Sequence, residues 1–435
     1  MTHNTDITPT KVQKDAKLGV IPNGWTTPKI SEVFQFINTT SFSRNQLNYD
    51  ADNELFYIHY GDIHATYKKP LLDFEIETNV PRLNNDVELP NSVQYLKDGD
   101  VIIADASEDY EGVGEAIEIK NLNGKAAISG LHTFALRDLD NKTVAGFRTY
   151  IFKNPNVKKA LKTIATGSKV YGISKGNIQK FKIVLPPLPE QQKIAQILST
   201  WDVAINKLEA IISKKKELKI GLIEKLIVER NGECEFFKLK DVCSKIQDGN
   251  YGAKYPKANE FLKEGVPFLT SKAIGSGGKI IYEKLNYISK DKHKELTKGH
   301  LKLNDVLFTN RGANVGAVAM VNKNISNGNI GPQLTLLRVN NKILPEFLRY
   351  TMSSSILRKQ ILQQDSGSAM NFFGVKDTSK FKIPLPPILN QNKVVVILKS
   401  TDKEIEILIN NLELVKTQKQ GFMQQLLTGK IRVKV

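Results

Sequence analysis

The chain has 435 residues, a length for two or three domains, with 40% hydrophobic and 25% charged residues, the composition of a folded globular protein. Lys and Arg number 62 against 45 Asp and Glu, a formal net charge of +17 that asks for a polyanionic partner, of which nucleic acid is the commonest in the cytoplasm. No apolar run reaches the roughly 18–20 residues of a bilayer span, residues 1–17 lack the apolar core of a secretion signal, and two cysteines, Cys234 and Cys243, make no disulfide framework; membrane, secreted and disulfide-stapled classes are excluded, and a cytoplasmic location is expected.

In chain order, a flexible segment is expected over residues 1–18. Residues 19–185 then alternate short β-rich runs such as DVIIADA with Gly, Asn and Asp turns and a short helical stretch, PNVKKALKTIAT, the texture of a compact α+β domain. A strand-like FKI at Phe181 runs into Leu185-Pro186-Pro187-Leu188-Pro189. Proline forbids further strand pairing but is tolerated in a first helical turn, so the segment reads as a stiff exit. No proline follows from Glu190 to Val228, where a single long helix is predicted (hinge and helix, 186–230). The pattern then repeats: a second β-rich domain over 231–385, the hinge Leu385-Pro386-Pro387-Ile388, a second helix from Asn390 to Leu427 (386–428) and a tail over 429–435. Each helix would extend about 55–60 Å at ~1.5 Å per residue.

The repetition is literal. FKIVLPPLPEQQKIAQIL at Phe181 reappears as FKIPLPPILNQNKVVVIL at Phe381, 200 residues on, in a register that also pairs Tyr150 with Tyr350 and Asp202 with Asp402. Upstream, YLKDGDVIIADA (from Tyr95) matches HLKLNDVLFTNR (from His300), GLHTFALR (from Gly130) matches GPQLTLLR (from Gly331), and TPKISEVFQFI (from Thr27) loosely matches FFKLKDVCSKI (from Phe236). A period this long signals duplicated domains, not a solenoid. Within the helices, Trp201, Ile205, Leu208, Ile212, Leu222 and Leu226, and in the second copy Ile405, Leu408, Leu412, Val415, Phe422 and Leu426, fall at steps of three and four, the seam of paired helices. Lys215, Lys219 and Lys419 interrupt the seam, implying a stretch that is wet or faces another chain. Two equal helices in one chain are expected to pair antiparallel as a coiled-coil spacer, giving an α+β fold of two similar globular recognition domains joined by two long helices.

The duplicated helix-entry block TGSKVYGISKGNIQKFKIVLPPLPEQQKIAQIL (from Thr166), the opening Ile21-Pro22-Asn23-Gly24-Trp25, LKEGVPFLTSKAIGSGGKI (from Leu262) and YIHYGDIHATY (from Tyr57) together resemble the specificity subunits of type I restriction–modification systems, over nearly the whole chain. The second copy departs from the pattern at Asn390-Gln391-Asn392, where the first has Glu190-Gln191-Gln192. The resemblance implies a non-catalytic DNA-recognition subunit that reads a split, asymmetric target. Its implied partners are double-stranded DNA, two DNA methyltransferase subunits and, in restricting systems, restriction/translocase subunits. S-adenosylmethionine, ATP and Mg are implied for those partners only, and no cofactor for this chain. A specificity subunit of a type II or orphan methylation system shares the architecture, and a coiled-coil protein-binding scaffold is the alternative from another class.

The residues themselves offer no catalytic constellation. The only Pro-Pro pairs lack the Asn or Asp that an adenine methyltransferase places before them; Gly275-Ser276-Gly277-Gly278-Lys279 is too short for a phosphate loop and reads as a turn; His59 and His64 have no third ligand nearby, and no metal site is expected. DNA contacts should use Lys and Arg on phosphates and Arg, Lys, Asn, Gln, Ser and Thr on base edges. In the first domain the candidates are Ser43, Arg44, Asn45 and Gln46, then Tyr60, His64, Tyr67, Lys68 and Lys69, and Lys169 with Tyr171 in a glycine-bearing turn. In the second they are Asn250, Tyr251, Lys254, Tyr255, Ser271, Lys272, Lys279, Asn310, Arg311, Asn314 and Asn371.

Overall fold

A computed structural model describes residues 13–50, 52–67, 69–229, 234–363 and 372–435. The chain divides into two compact units, one made of the residues up to Lys207 together with Leu412–Val435, the other of Leu208–Asn411. The division falls inside both long helices, Leu188–Ile223 and Ile388–Leu427.

The first unit is built on a five-stranded sheet in the order Phe34–Ile37, Thr133–Asp138, Val101–Ala104, Ala116–Lys120, Leu71–Asp73, antiparallel except for its last, parallel pairing. Strands such as Val101–Ala104 are buried along their whole length, which explains their unbroken apolar runs. A second sheet pairs Ala126–Ser129 in parallel with Leu55–Ile58 and carries Arg82–Leu83 and Leu47–Asn48 beyond it. The second unit repeats the plan: Cys243–Asp248, Leu334–Val339, Val306–Thr309 and Val318–Met320 form the antiparallel sheet, and Asn286–Ile288, Val266–Leu269 and Asn329–Ile330 the smaller one, again with one parallel pair. The opening of each copy is stitched to its FKI strand in the same way, Ile30 N–H donating to Phe181 O and Leu239 N–H to Phe381 O, both at 2.9 Å.

The repeated Lys-x-x-Asp-Val motif has a structural task. Asp100 accepts the Lys97 N–H (2.7 Å) and two bonds from Arg137 (2.9 and 2.6 Å), and Asp305 accepts the Lys302 N–H (2.8 Å) and two from Arg338 (2.8 and 2.7 Å). Both carboxylates are buried, and such a forked pair satisfies them while closing the turn before a core strand.

Two boundaries differ from the sequence reading. Gln13–Asp15 pairs with Gly19–Ile21 in a short hairpin, so residues 13–18 are an ordered part of the first unit where a flexible segment was expected, and residues 1–12 lie outside those described. The long helices start at Leu188 and Ile388, immediately after Pro187 and Pro387, and the first ends in a π-helical turn, Glu224–Glu229. No helix among the described residues is long and apolar enough to cross a membrane.

Candidate nucleic-acid interface

Tyr57 organises the edge of the first unit. Fully buried, its hydroxyl donates to Thr40 O (2.9 Å) and accepts the N–H groups of Phe42 and Leu131 (both 3.1 Å), tying the loop after the first strand to the turn Gly130-Leu131-His132. A Cβ on Gly130 would stand 2.6 Å from the Tyr57 ring, so only glycine allows this approach. On that loop, Ser43 opens a 3-10 turn, Arg44–Gln46, in which Ser43 and Gln46 cap each other. Arg44 donates Nη1 and Nη2 to the buried Asp62 carboxylate at 2.8 and 3.0 Å, while Asn45 hydrogen-bonds Ser43.

Beside them, the rings of His59 and Tyr60 lie 4.8 Å apart and Tyr60 meets His132 edge-on at 5.4 Å. Burial and the Arg44 charge hold His59 below the usual histidine range, in keeping with Nδ1 accepting the Gly61 N–H (3.0 Å). His132, at a positive φ of 58°, sits 3.3 Å from Asp105, whose carboxyl burial raises and His132 lowers. A histidine in the left-handed region is strained, and such strain gathers at functional positions. His64 bonds Ala106 O at 3.0 Å; Lys69 and Lys169 are exposed; Tyr171 pairs with Ser107 and packs edge-on against Tyr110 at 5.2 Å. Tyr67 is a core residue, 5% exposed, and not a surface contact, because the turn after Tyr60–Ala65 folds it inward. Lys68 lies outside the described residues.

The second unit fills the same edge with different groups. Arg311 follows the strand Val306–Thr309, and its guanidinium lies 5.0 Å from the Tyr251 ring and 4.5 Å from the Phe372 ring, with Nη2 bonded to the Tyr251 hydroxyl. Burial and the Asp248 carboxylate push the Tyr251 phenol up to about 12, so it stays protonated. Arg311 and Phe372 are also bridged through their backbones, as Ala106 and Gly172 are in the first unit. Lys254, Lys272, Lys279 and Asn314 are exposed and Ser271 is half-buried. Two candidates belong instead to the interior, and a third is half-buried against it. Asn250 bonds Thr297 Oγ1 (3.0 Å) and the Lys298 N–H (2.9 Å); Asn310 donates to Pro332 O (3.2 Å) and Thr335 Oγ1 (2.9 Å); Tyr255 packs in a cluster with Phe261 and Phe268. The two asparagine side chains hold loops in place. Asn371 lies outside the described residues.

The doubled scaffold also appears in comparison with known proteins. The family model described as "Type I restriction modification DNA specificity domain" matches residues 22–219 and again 231–417. The chain belongs to that family. It is 28% identical over 403 residues to the type I restriction enzyme MjaVIII specificity subunit of Methanocaldococcus jannaschii (84% of this chain, 90% of the relative). It is 26% identical over 445 residues to the putative type I restriction enzyme MjaX specificity subunit of the same organism (97% of each). The fold is similar to the type I restriction–modification S subunit from M. genitalium (TM-score 0.51, 15% identity, 93% and 96% of the chains). It is also similar to a structure described as the basis of complex assembly and conformational transition of the type I R-M system (TM-score 0.56, 17% identity, 94% and 99%).

In this specificity-family chain the twelve apolar helix positions are all at least half-buried, with Leu222 and Leu226 packed on the core of the second unit and Phe422 and Leu426 on that of the first. Ile205, Ile212, Leu226, Ile405, Leu412 and Leu426 are buried, and Trp201, Leu208, Leu222, Leu408, Val415 and Phe422 half-buried. Facing segments run antiparallel within each unit: Asp202 meets Lys419 in the first, and Asp402 meets Lys219, with Lys215 to Glu404 at 2.7 Å, in the second. Lys219 and Lys419 are therefore paired seam residues, only 15% and 12% exposed, and not a wet or open stretch. Each aspartate also accepts a buried tyrosine of its own unit, Tyr150 to Asp202 at 3.2 Å and Tyr350 to Asp402 at 2.7 Å. Sequence reasoning missed this three-residue seat, though the 200-residue register of Tyr, Asp and Lys carried the signal. It missed Gln191 and Gln391 as well. Both are buried; Gln191 donates to Pro186 O (2.8 Å) and Lys142 O (3.3 Å) and accepts from Val144 N–H (3.0 Å), and Gln391 does the same with Pro386, Lys342 and Leu344 (2.8, 3.1 and 2.8 Å).

Proposed function

We propose that this chain is the sequence-reading, non-catalytic subunit of a type I restriction–modification complex, each unit reading one part of a split, asymmetric target in duplex DNA. The observation that carries the reading is the repeated edge: one scaffold presents Arg44, Tyr60 and His132 in the first unit and Tyr251, Arg311 and Phe372 in the second. Identical readers would call for a palindrome; different ones call for two unlike tracts. The +17 charge supplies phosphate affinity, and arginine and amide groups supply base discrimination. Methyltransferase subunits, with S-adenosylmethionine, would carry out modification in this reading, and restriction/translocase subunits, with ATP and Mg, cleavage.

Exchange of residues 236–380 for those of a relative tests it. Methylation sequencing in cells carrying the whole system should show one half of the target replaced and the other retained. Simultaneous change of both halves would defeat the model of two independent readers. Binding should also weaken steeply with salt, each neutralised phosphate adding about −0.9 to the log–log slope.

A further inference from the structure

We infer that Arg44 is the residue through which the first unit reads a guanine, and that Asp62 is the group that positions it; the inference rests on the DNA-reading function proposed above. The guanidinium has two differently placed ends. Its terminal nitrogens are fixed on Asp62 at 2.8 and 3.0 Å, and that carboxylate is 4% exposed, held in the first turn of the helix Tyr60–Ala65, where Thr66 Oγ1 adds a bond at 3.4 Å. The Arg44 side chain is nevertheless 55% exposed, and its backbone is set by the Ser43–Gln46 capping turn.

A guanidinium carries five N–H donors in one plane, and Asp62 takes two. The remaining edge, Nε and the second hydrogen of Nη2, has no hydrogen-bond partner among the described residues. Two parallel donors match the O6 and N7 acceptors of guanine in the major groove. Adenine would set its N6 donor against one of them, cytosine offers its N4 donor, and thymine a single acceptor. A carboxylate anchor removes the rotamer freedom that binding would otherwise have to freeze, the advantage of a preorganised contact. An arginine that only tied the turn to the helix would leave its open edge idle and carry no base information.

The test is methylation sequencing in cells carrying the complete system with wild-type chain, Arg44→Gln, Arg44→Lys or Asp62→Asn. The half-site that survives exchange of residues 236–380 should contain a guanine. Arg44→Gln should relax that one position by about 5- to 150-fold and leave the other half intact. Arg44→Lys keeps the charge but not the fork and should relax the same position, and Asp62→Asn should relax it less. A first half-site without guanine, or full guanine selectivity in Arg44→Lys, overturns the inference. If Arg44→Gln abolishes methylation altogether, the purified Arg44→Lys complex is measured on duplexes varied only at that guanine: lost discrimination supports the inference and retained discrimination overturns it. A wild-type complex that selects no split sequence would instead defeat the function proposed above.

Discussion

The two units keep the same mounting and differ in what they present. In both, a buried glutamine fastens the start of a long helix to its own domain, and a tyrosine, an aspartate and a lysine meet where the facing helix segments touch. On the outward edge almost nothing is shared: an arginine clamped by a carboxylate among histidines in one, an arginine between two aromatic rings in the other. Duplication has preserved the geometry that mounts the two domains and released the residues on this edge.

Even the mounting is not uniform, and its inequalities can be measured. Asp402 serves Lys219, Tyr350 and also Arg349 (2.8 Å), whereas Asp202 serves Lys419 and Tyr150. Burial raises the Asp402 carboxyl, and its bonds from Lys219, Tyr350 and Arg349 outweigh that and leave it below the usual range. Asp402→Ala would strand two largely buried cations and should cost about 3 kcal/mol, against about 2 kcal/mol for Asp202→Ala. Urea unfolding of the full chain, with hydrogen exchange to locate the loss, checks the ranking; equal effects would show that Arg349 adds nothing.

Gln191→Ala and Gln391→Ala should come next, at about 2 kcal/mol each, because each leaves one buried N–H and two carbonyls without their partner. Here equality is the expected result, despite the change from Glu190 to Asn390 beside them. Glu190 accepts from Trp25 Nε1 (3.2 Å) and Arg432 Nε (2.9 Å), contacts separate from the glutamine's.

The smallest effect concerns pH. Burial pushes Glu118 up to about 7 against the N–H bonds it accepts from Gly146 and Thr149. The matching position in the second unit is Met320, opposite Val306 as Glu118 is opposite Val101. A carboxyl raised on folding contributes stability below its unfolded pKa and loses it as pH climbs through about 7. Glu118→Gln should therefore flatten the decline between pH 5 and 8, by about 1–2 kcal/mol, in the first unit alone. Thermal melts across that range, read by hydrogen exchange in each unit, decide it.

Duplication, helix extents and the burial of twelve apolar helix positions could be read from the sequence because each is a periodic signal, and periodic signals need no knowledge of what lies across from them. The seam lysines could not: Lys219 looks like an interruption until Asp402, distant in the chain, is placed beside it. The same gap misassigned Asn250, Asn310 and Tyr67. A polar or aromatic residue in a loop has the same composition whether it faces solvent or satisfies a buried backbone group, and only the folded loop separates the cases. Arg44 was legible as a type of residue, its anchoring by Asp62 was not.

The first unit is assembled from two stretches far apart in the sequence, since Leu426 and Leu427 enter its core and Arg432 reaches Glu190, whereas Leu208–Asn411 is continuous. During translation the half that leaves the ribosome first thus cannot close its core until Leu426 and Leu427 have been made, and the half made in between can finish ahead of it. Birth order and completion order are inverted, and the first reader is not fully mounted on a chain that stops before Leu426.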